Sequence, residues 1–385
     1  MDHVRDRLLR RVSHGWKLRK ILLHLRHCPR WACIGDKLTD TMPDTLSAED
    51  LAQFAADIFI ARGFSEDHAA KIAEVLVWAD LRGAPSHGVQ RIPRYIEIID
   101  DGEMNTQPTI RVEKELPAAV LIEADRAPGQ VSMRLAAAEA ARKARNAGIG
   151  LALVRRTTHT AALGYYTRLT ALEGMAAIAG SASWSNMVYH GAREVGVASN
   201  PFSIAIPHGK GEPLVLDMAT AVAALGKIVH AARSGKSIPE GWALDDDGNP
   251  TTDPKKATLP LALGGPKGSG LSLMIEAMAS LITANAIIAD TIEGKPGGKA
   301  HRQNAFLIAI DIAQFRDLPG FERDLTRMIN ALKAQPRQAG FEEILMPGER
   351  GARELEKRRK AGITIPAATW TELLKVADRF GVKPP

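Results

Sequence analysis

Asp80-Leu81-Arg82-Gly83-Ala84-Pro85-Ser86-His87-Gly88-Val89-Gln90-Arg91-Ile92-Pro93-Arg94-Tyr95 is the stretch from which the whole chain can be read outward. It begins as the end of an apolar-periodic helix, breaks at Gly83 and Pro85, and restarts as a second helix with Ile92 and Tyr95 on one side. The corner holds a hydroxyl, an imidazole and, four residues past the imidazole, a guanidinium. Gly88 places no Cβ in the way of an approach to His87, and i,i+4 spacing puts His87 and Arg91 on one helical face. An imidazole moves a proton near neutral pH, and an arginine fork holds a carboxylate by two parallel bonds. That pairing suits chemistry on a small acid. A capping serine and a surface arginine at a helix corner would use the same residues.

Upstream, Ser47-Ala48-Glu49-Asp50 reads as a variant capping box, and Leu51, Phe54, Ala55, Ile58 and Phe59 then repeat at helical spacing up to Gly63. Ser65 caps a second helix through Ala69, Ile72, Leu76 and Val77. The formal net charge of +6 is misleading, because residues 1–40 alone carry ten Lys/Arg against four Asp/Glu. The rest of the chain is electrically balanced, which disfavours a nucleic-acid groove. Cys28 and Cys33 lie in that same opening piece, too far apart for a redox or zinc pair. Residues 1–41 read as a dispensable basic extension with Met42 as the true start; a targeting helix is the competing reading. No apolar run is long enough to span a membrane, and a cytoplasmic location is expected.

Downstream of Asp101-Gly102 the texture changes. Strands are expected at Ala118–Ile122, Gly150–Val154, Met175–Ala179, Phe202–Ile206, Pro213–Leu216 and Ala305–Ile310. Helices are expected at Ser132–Ala147, Ala161–Leu172, Ala221–Ala232, Ser269–Leu281, Phe321–Leu332, Glu349–Lys360 and Trp370–Phe380. The polar, Asp/Gly/Pro-rich segment Pro239–Pro260 reads as a long surface excursion. The domain reading is thus a helical part at 42–115, a central sheet domain at 116–319, and a helical part at 320–385 that packs on the first.

Several chemistries are excluded by missing patterns. No strand is followed by Gly-x-Gly-x-x-Gly, no P-loop or Gly-x-Ser-x-Gly elbow is present, and the histidines after residue 40 are scattered singly, so no metal site is expected. His159 sits in a strand-to-helix turn, where side chains and amide donors converge on ligands, although a lone turn histidine is also a common structural feature. Asp217 ends an apolar strand run and would either orient an imidazole or cap a helix. Ser183 follows a strand end made of small residues. Around Lys267, Leu263-Gly264-Gly265-Pro266-Lys267-Gly268-Ser269-Gly270-Leu271 could wrap a phosphate with amide donors and one ammonium, or act as a plain hinge. Pro347-Gly348-Glu349 turns the chain into a helix, which ordinary turn grammar also explains.

Taken together, Asp80-Leu81-Arg82-Gly83, Ser86-His87-Gly88 with Arg91 and Tyr95, Gly164-Tyr165-Tyr166, Asn200-Pro201, Asp217-Met218-Ala219-Thr220, Gly264-Gly265 with Lys267-Gly268, and Pro347-Gly348-Glu349 form a specific set. In order and separation this set resembles the malate/L-lactate dehydrogenase-like family of oxidoreductases, from about Leu46 to the C-terminus. The resemblance implies an α/β, non-Rossmann fold: a central, largely antiparallel sheet domain with a helical domain formed by both chain ends. It also implies an NAD(P)-dependent homodimer that transfers hydride between nicotinamide and a small 2-hydroxy or 2-keto acid. NAD is expected, with NADP open.

Carried over residue by residue, the resemblance places Ser86, His87 and Arg91 with the substrate. It puts His159 at the acid/base position, with His87 the other catalytic candidate because family members differ in which histidine carries the proton; Asp217 stays the candidate orienting acid read from its strand end. Ser183, Asp217, Met218, Ala219, Lys267, Gly268, Pro347, Gly348 and Glu349 fall with the cofactor. Ureidoglycolate, malate, lactate and sulfolactate are the candidate acids. Reduction of a cyclic imine carboxylate or a diketo-sugar acid is an alternative, and a non-catalytic nucleotide- or small-acid-binding protein is the alternative of another class. Three departures stand out: Thr160-Ala161 where many members have Phe-Gly, Ala198-Ser199 where Gly-Thr is usual, and Pro266 in place of a frequent tyrosine. The first resembles the ureidoglycolate-oxidising branch.

Overall fold

A computed structural model describes residues 45–209, 211–295 and 302–385. The expectations for the basic extension at 1–41, Cys28, Cys33, Met42 and His301 lie outside the described residues.

The chain opens with two helices packed on each other, α1 (Ala48–Ala61) and α2 (Glu66–Leu81), each started by the serine read from the sequence. The Ser47 hydroxyl accepts the Asp50 amide at 2.9 Å, and the Ser65 hydroxyl accepts the His68 amide at 3.2 Å. Such caps satisfy amide donors that a helix start leaves unpaired. A short helix, α3 (Ile92–Asp100), follows the corner and buries Ile92, Tyr95, Ile96, Ile98 and Ile99.

The central sheet has seven strands: β1 (Arg111–Glu115), β2 (Ala119–Glu123), β3 (Ile149–Thr157), β4 (Met175–Ala182), β5 (Phe202–Ile206), β6 (Leu214–Met218) and β7 (Gln303–Asp311). Their order is β1-β2-β3-β7-β4-β5-β6. Only β2 and β3 run parallel, joined through the long helix α4 (Gly129–Ala147); every other pairing is antiparallel. The expected largely antiparallel sheet is therefore present. Strand β7 arrives from far along the chain to lie between β3 and β4, with Leu307 opposite both Ala152 and Ala179.

Small residues set the spacing of this core. Ala136, Ala140 and Ala144 of α4 are fully buried, as are Ala152, Ala305 and Ala309 on the sheet. Gly150 has no room for a side chain, since a Cβ there would lie 1.9 Å from the Ala140 carbonyl oxygen. The helix backbone thus presses directly on β3. On the opposite face Phe306, Ile275 and Ala279 form a separate cluster. From the C-terminal end of the chain, α8 (Glu349–Ala361) returns to pack on α2, and α9 (Ala367–Phe380) packs on α1 and α3. A two-residue bridge between Leu46 and Ile363 ties the two helical parts together.

Three expectations are corrected. Strand β1 begins at Arg111, inside the span read as helical, because Arg-Val-Glu-Lys-Glu is an edge strand with every residue exposed and no apolar alternation to reveal it. Pro239–Pro260 is not a bare excursion: Ala243–Leu244, Pro250–Thr251 and Leu259–Pro260 form a three-stranded sheet. Its Ala243 packs with Ile238, Ala257 and Ile228, the last from helix α6 (Leu225–Ser234). The helix expected over Ser269–Leu281 starts earlier, at Pro266, and its last turn widens to a π-helix over Ala277–Leu281. Among the described residues no helix is long and apolar enough to cross a membrane.

Candidate active site

The corner between α2 and α3 is built differently from its spacing. Pro85–His87 and Val89–Arg91 are two separate 3-10 turns, so His87 and Arg91 do not share a face of one α-helix. What pins the turns is Asp80. Its Oδ2 accepts the Val89 amide at 2.8 Å, and a Cβ on Gly88 would lie 2.0 Å from its Oδ1. Glycine is needed at 88 because the Asp80 carboxylate fills that space, not to open a path to His87. Burial pushes the Asp80 carboxyl up to about 7, against the Val89 amide and the Arg358 charge, which both favour ionisation. The Arg358 guanidinium also donates to the Asp80 carbonyl at 2.7 Å, tying the corner to α8. Within the corner, Arg91 Nε donates to the Ser86 carbonyl at 2.5 Å, and the Ser86 hydroxyl pairs with His87 Nδ1 at 3.0 Å.

His159 comes to the same place from the turn between β3 and helix α5 (Gly164–Leu172). The His87 and His159 rings stack, with centroids 5.8 Å apart and planes 18° from parallel. The Tyr95 hydroxyl lies 2.7 Å from His159 Nδ1 and receives a hydrogen bond from Gln130 Nε2 at 2.9 Å. Gly129 lets α4 start against this turn, since a Cβ there would sit 2.5 Å from the Thr160 Cα. Ala161 takes φ +56°, a left-handed conformation that costs an L residue about 1–2 kcal/mol and suits the glycine found there in the common pattern. Burial, and then the Arg91 charge, lower His87 to about 4, so its ring is neutral at ordinary pH. Burial pushes the Tyr95 phenol up to about 12. Tyr95 was legible only as a motif member on an apolar face, and Gln130, two residues before the helix start expected at Ser132, carried no signal.

The residues assigned to the cofactor gather around the end of β6. Val215 donates its amide to the Pro347 carbonyl at 3.1 Å, and Gly348, at φ +83°, would meet the Val215 carbonyl with a Cβ at 2.8 Å. The Arg82 guanidinium donates to the Gly348 carbonyl at 3.1 Å. The Asp217 Oδ2 accepts the Gly164 amide at 2.8 Å, so this carboxylate caps α5, the helix entered from the His159 turn. Part of Asp217 is exposed, yet its carboxyl is crowded by surrounding chain, which pushes it up to about 6. The hydrogen-bond partner at His159 Nδ1 is Tyr95.

Beyond Met218 and Ala219, the Thr220 carbonyl accepts the Leu263 amide at 2.8 Å. A Cβ on Gly268 would lie 2.7 Å from that same oxygen. This packs the glycine-rich loop and helix α7 (Pro266–Glu276) against the β6 end, with Lys267 exposed in the first helical turn. Ser183 is held through Asn200, whose Oδ1 accepts the Ser183 amide while its Nδ2 donates to the Ser272 carbonyl on α7. Glu349 is engaged internally: burial opposes its charge, but hydrogen bonds from Lys333, the Met346 amide and Arg353 hold it down to about 2. Its turn therefore offers no free carboxylate. Among the described residues no group of three His, Cys, Asp or Glu is arranged to hold a metal ion.

A protein-family model described as malate/L-lactate dehydrogenase matches residues 46–374. The chain belongs to the malate/L-lactate dehydrogenase family. It is 38% identical over 350 residues to the malate dehydrogenase of Pyrococcus horikoshii, covering 86% of this chain and 94% of that one. A ureidoglycolate dehydrogenase (NAD(+)) of Escherichia coli is 32% identical over 329 residues, or 83% of this chain and 92% of that one. The solved structure of sulfolactate dehydrogenase from Methanocaldococcus jannaschii superposes with a TM-score of 0.79 at 34% identity, covering 88% of this chain and 98% of that one. Membership in the malate/L-lactate dehydrogenase family makes the chain an NAD(P)-dependent oxidoreductase of small 2-hydroxy and 2-keto acids. That outcome sets aside the reading as a non-catalytic binding protein.

Proposed function

We propose that this enzyme oxidises a small 2-hydroxy acid with NAD, and reduces the matching 2-keto acid, at the junction of His159, His87 and Arg91. The observation that carries the reading is the stacked His87–His159 pair, with Tyr95 on one imidazole and the Arg91 guanidinium beside the other. His159 exchanges the substrate hydroxyl proton. Arg91 holds the substrate carboxylate by its fork, and neutral His87, already paired with Ser86, positions the hydroxyl-bearing carbon. When bound, the nicotinamide accepts or supplies the hydride.

The residues around the end of β6 fit such a cofactor. Gly264 and Gly265 take φ +58° and +60°, Lys267 stands exposed in the first turn of α7, and a cavity of ≈ 300 Å³ opens beside them, lined by His190, Val222, Ala262 and Gly265. In this reading Lys267 meets phosphate, and Gly268, whose amide donates to the Leu263 carbonyl at 2.8 Å, holds the loop that presents it. Ser183, Asp217, Met218 and Ala219 line the inner part of the groove, and the Pro347-Gly348-Glu349 turn closes it from the other side. The Escherichia coli relative named for NAD(+) supports NAD over NADP.

A homodimer goes with this proposal. Leu273, Met274, Leu281 and Ile282 are exposed along α7 and its π turn, an apolar strip of the kind a second copy covers. Turnover of malate, lactate, sulfolactate and ureidoglycolate with NAD and with NADP, followed by the absorbance of the reduced nicotinamide, tests the reading. Activity on at least one acid with a lower KM for NAD supports it, and silence on all of them with both cofactors rejects it. Light scattering of the same sample reports the dimer.

A further inference from the structure

Gln130 lies in the first turn of α4 and is fully buried, between Gly129 and Val131. Its Nε2 donates to the Tyr95 oxygen, and the Tyr95 hydroxyl pairs with His159 Nδ1. Its Oε1 is buried and makes no hydrogen bond. No second hydrogen bond therefore fixes which end of the amide faces the phenol that holds the imidazole, and an amide can present either a donor or an acceptor there.

A phenol has one hydrogen to give. While Gln130 donates to the Tyr95 oxygen, the Tyr95 hydrogen goes to His159 Nδ1, and a neutral imidazole then carries its own hydrogen on Nε2. With the amide turned over, Oε1 takes the Tyr95 hydrogen, the Tyr95 oxygen accepts Nδ1–H, and Nε2 carries no hydrogen. We propose that Gln130 is a positioning residue that sets the His159 tautomer through Tyr95, and that the arrangement with Oε1 on Tyr95 is the working one. The inference rests on His159 being the proton carrier.

In that arrangement the oxidation balances. The substrate O–H bond breaks and its proton goes to Nε2, while a bound oxidised nicotinamide would take the hydride from the carbon. That would leave the keto acid and the reduced nicotinamide beside an imidazolium whose Nδ1–H still rests on Tyr95. Reduction runs the same steps backward. In the other arrangement Nε2 already carries a hydrogen and accepts nothing. Burial keeps the Tyr95 phenol protonated throughout, so it relays orientation rather than charge. The titratable and charged groups facing this pair include His87 and Arg91 from the corner and Tyr166 from α5.

The test is the pH dependence of oxidation in Gln130→Glu and Gln130→Met. The probe is whichever of malate, sulfolactate or ureidoglycolate the wild type oxidises fastest with NAD, and thermal unfolding checks the fold. A carboxylate at 130 accepts from Tyr95 and favours the imidazolium, so the acid limb of kcat should move up by about one pH unit. Gln130→Met leaves the Tyr95 hydrogen on Nδ1, so kcat should fall about tenfold, a share of the 10²–10⁴ that a general base supplies, with both KM values within about twofold. An unmoved limb in a folded Gln130→Glu protein overturns the proposal, as does an unchanged kcat in Gln130→Met. If the carboxylate variant does not fold, the methionine variant decides alone. His159→Asn separates the two levels: retained turnover removes the reading beneath the proposal, whereas lost turnover with both Gln130 variants behaving as wild type overturns the proposal only.

Discussion

The carboxylate of Asp80 occupies the volume that a side chain at position 88 would need, its Oδ1 lying 2.0 Å from where a Gly88 Cβ would be. Two residues eight positions apart thereby fix the path of the turn that carries Ser86 and His87. Gly88→Ala forces either the carboxylate or the turn to move. Overpacking of this kind costs about 1–3 kcal/mol, to be read as a lower urea midpoint. The KM for the acid should rise with it, because His87 moves with the turn. A variant with wild-type stability and KM would show that the corner is not held this way.

Asp80 also gives a pH signature. Its folded carboxyl is raised by burial from an ordinary 3.8 to about 7, so the stability linked to its proton is present below about pH 4 and is lost as the pH rises through about 7. An amide in its place does not titrate. The Asp80→Asn variant should therefore gain stability relative to wild type between about pH 4 and pH 8. Denaturant unfolding of both proteins at the two ends of that window measures the difference. A constant difference contradicts the buried, protonating carboxylate.

Arg91→Lys keeps the charge and loses the fork. Arg91 engages the Ser86 carbonyl through its Nε, which leaves the terminal nitrogens for a carboxylate, and an ammonium cannot do both. A hydrogen bond to a charged group is worth about 1.5–3 kcal/mol, so kcat/KM for the acid should fall by about ten- to a hundredfold. Cofactor affinity should stay near wild type. Equal loss on both sides would move Arg91 to the cofactor.

Lys267→Ala tests the other half of the site. Lys267 is exposed, its neighbours Gly264 and Gly265 bring the backbone close, and the helix start behind it favours an anion. Calorimetric titration should show NAD binding weakened by about tenfold or more, with the KM for the acid little changed once cofactor saturates. Identical NAD affinity in the two proteins would leave the loop as a hinge.

Much of this was legible in the sequence because it is local. Ser47 and Ser65 announce helix starts, and β5 runs over the same Phe202–Ile206 as its apolar pattern. His159 falls in the strand-to-helix turn that the flanking periodicities bracket. What stayed hidden depends on partners far away in the chain. Asp80 looks like the last polar residue of a helix until the 3-10 path of 85–91 folds over it. Gln130 acquires a role only when Tyr95, on another helix, reaches its amide. Asp217 caps a helix that lies before it in the chain rather than after it, a relation no spacing reveals. The two-residue strands over 243–260 are too short to carry a period at all.

The sharpest prediction divides the two histidines. His87 is neutral, lowered to about 4 by burial and the Arg91 charge, so it does not supply a pH limb near neutrality. His159 has its Nδ1 oriented by Tyr95 and stands in the turn that links β3 to α5. His159→Asn should therefore lose about a hundredfold or more in kcat, within the range for a general acid/base, while NAD still binds. His87→Asn should chiefly raise the KM for the acid and keep the pH limb in place. The profiles of both variants, taken with substrate deuterated at the hydroxyl-bearing carbon, ensure that the hydride step is being observed. A limb that survives in His159→Asn and disappears in His87→Asn would exchange the two roles, and would make the stacked partner, not the Tyr95-bound ring, the proton carrier.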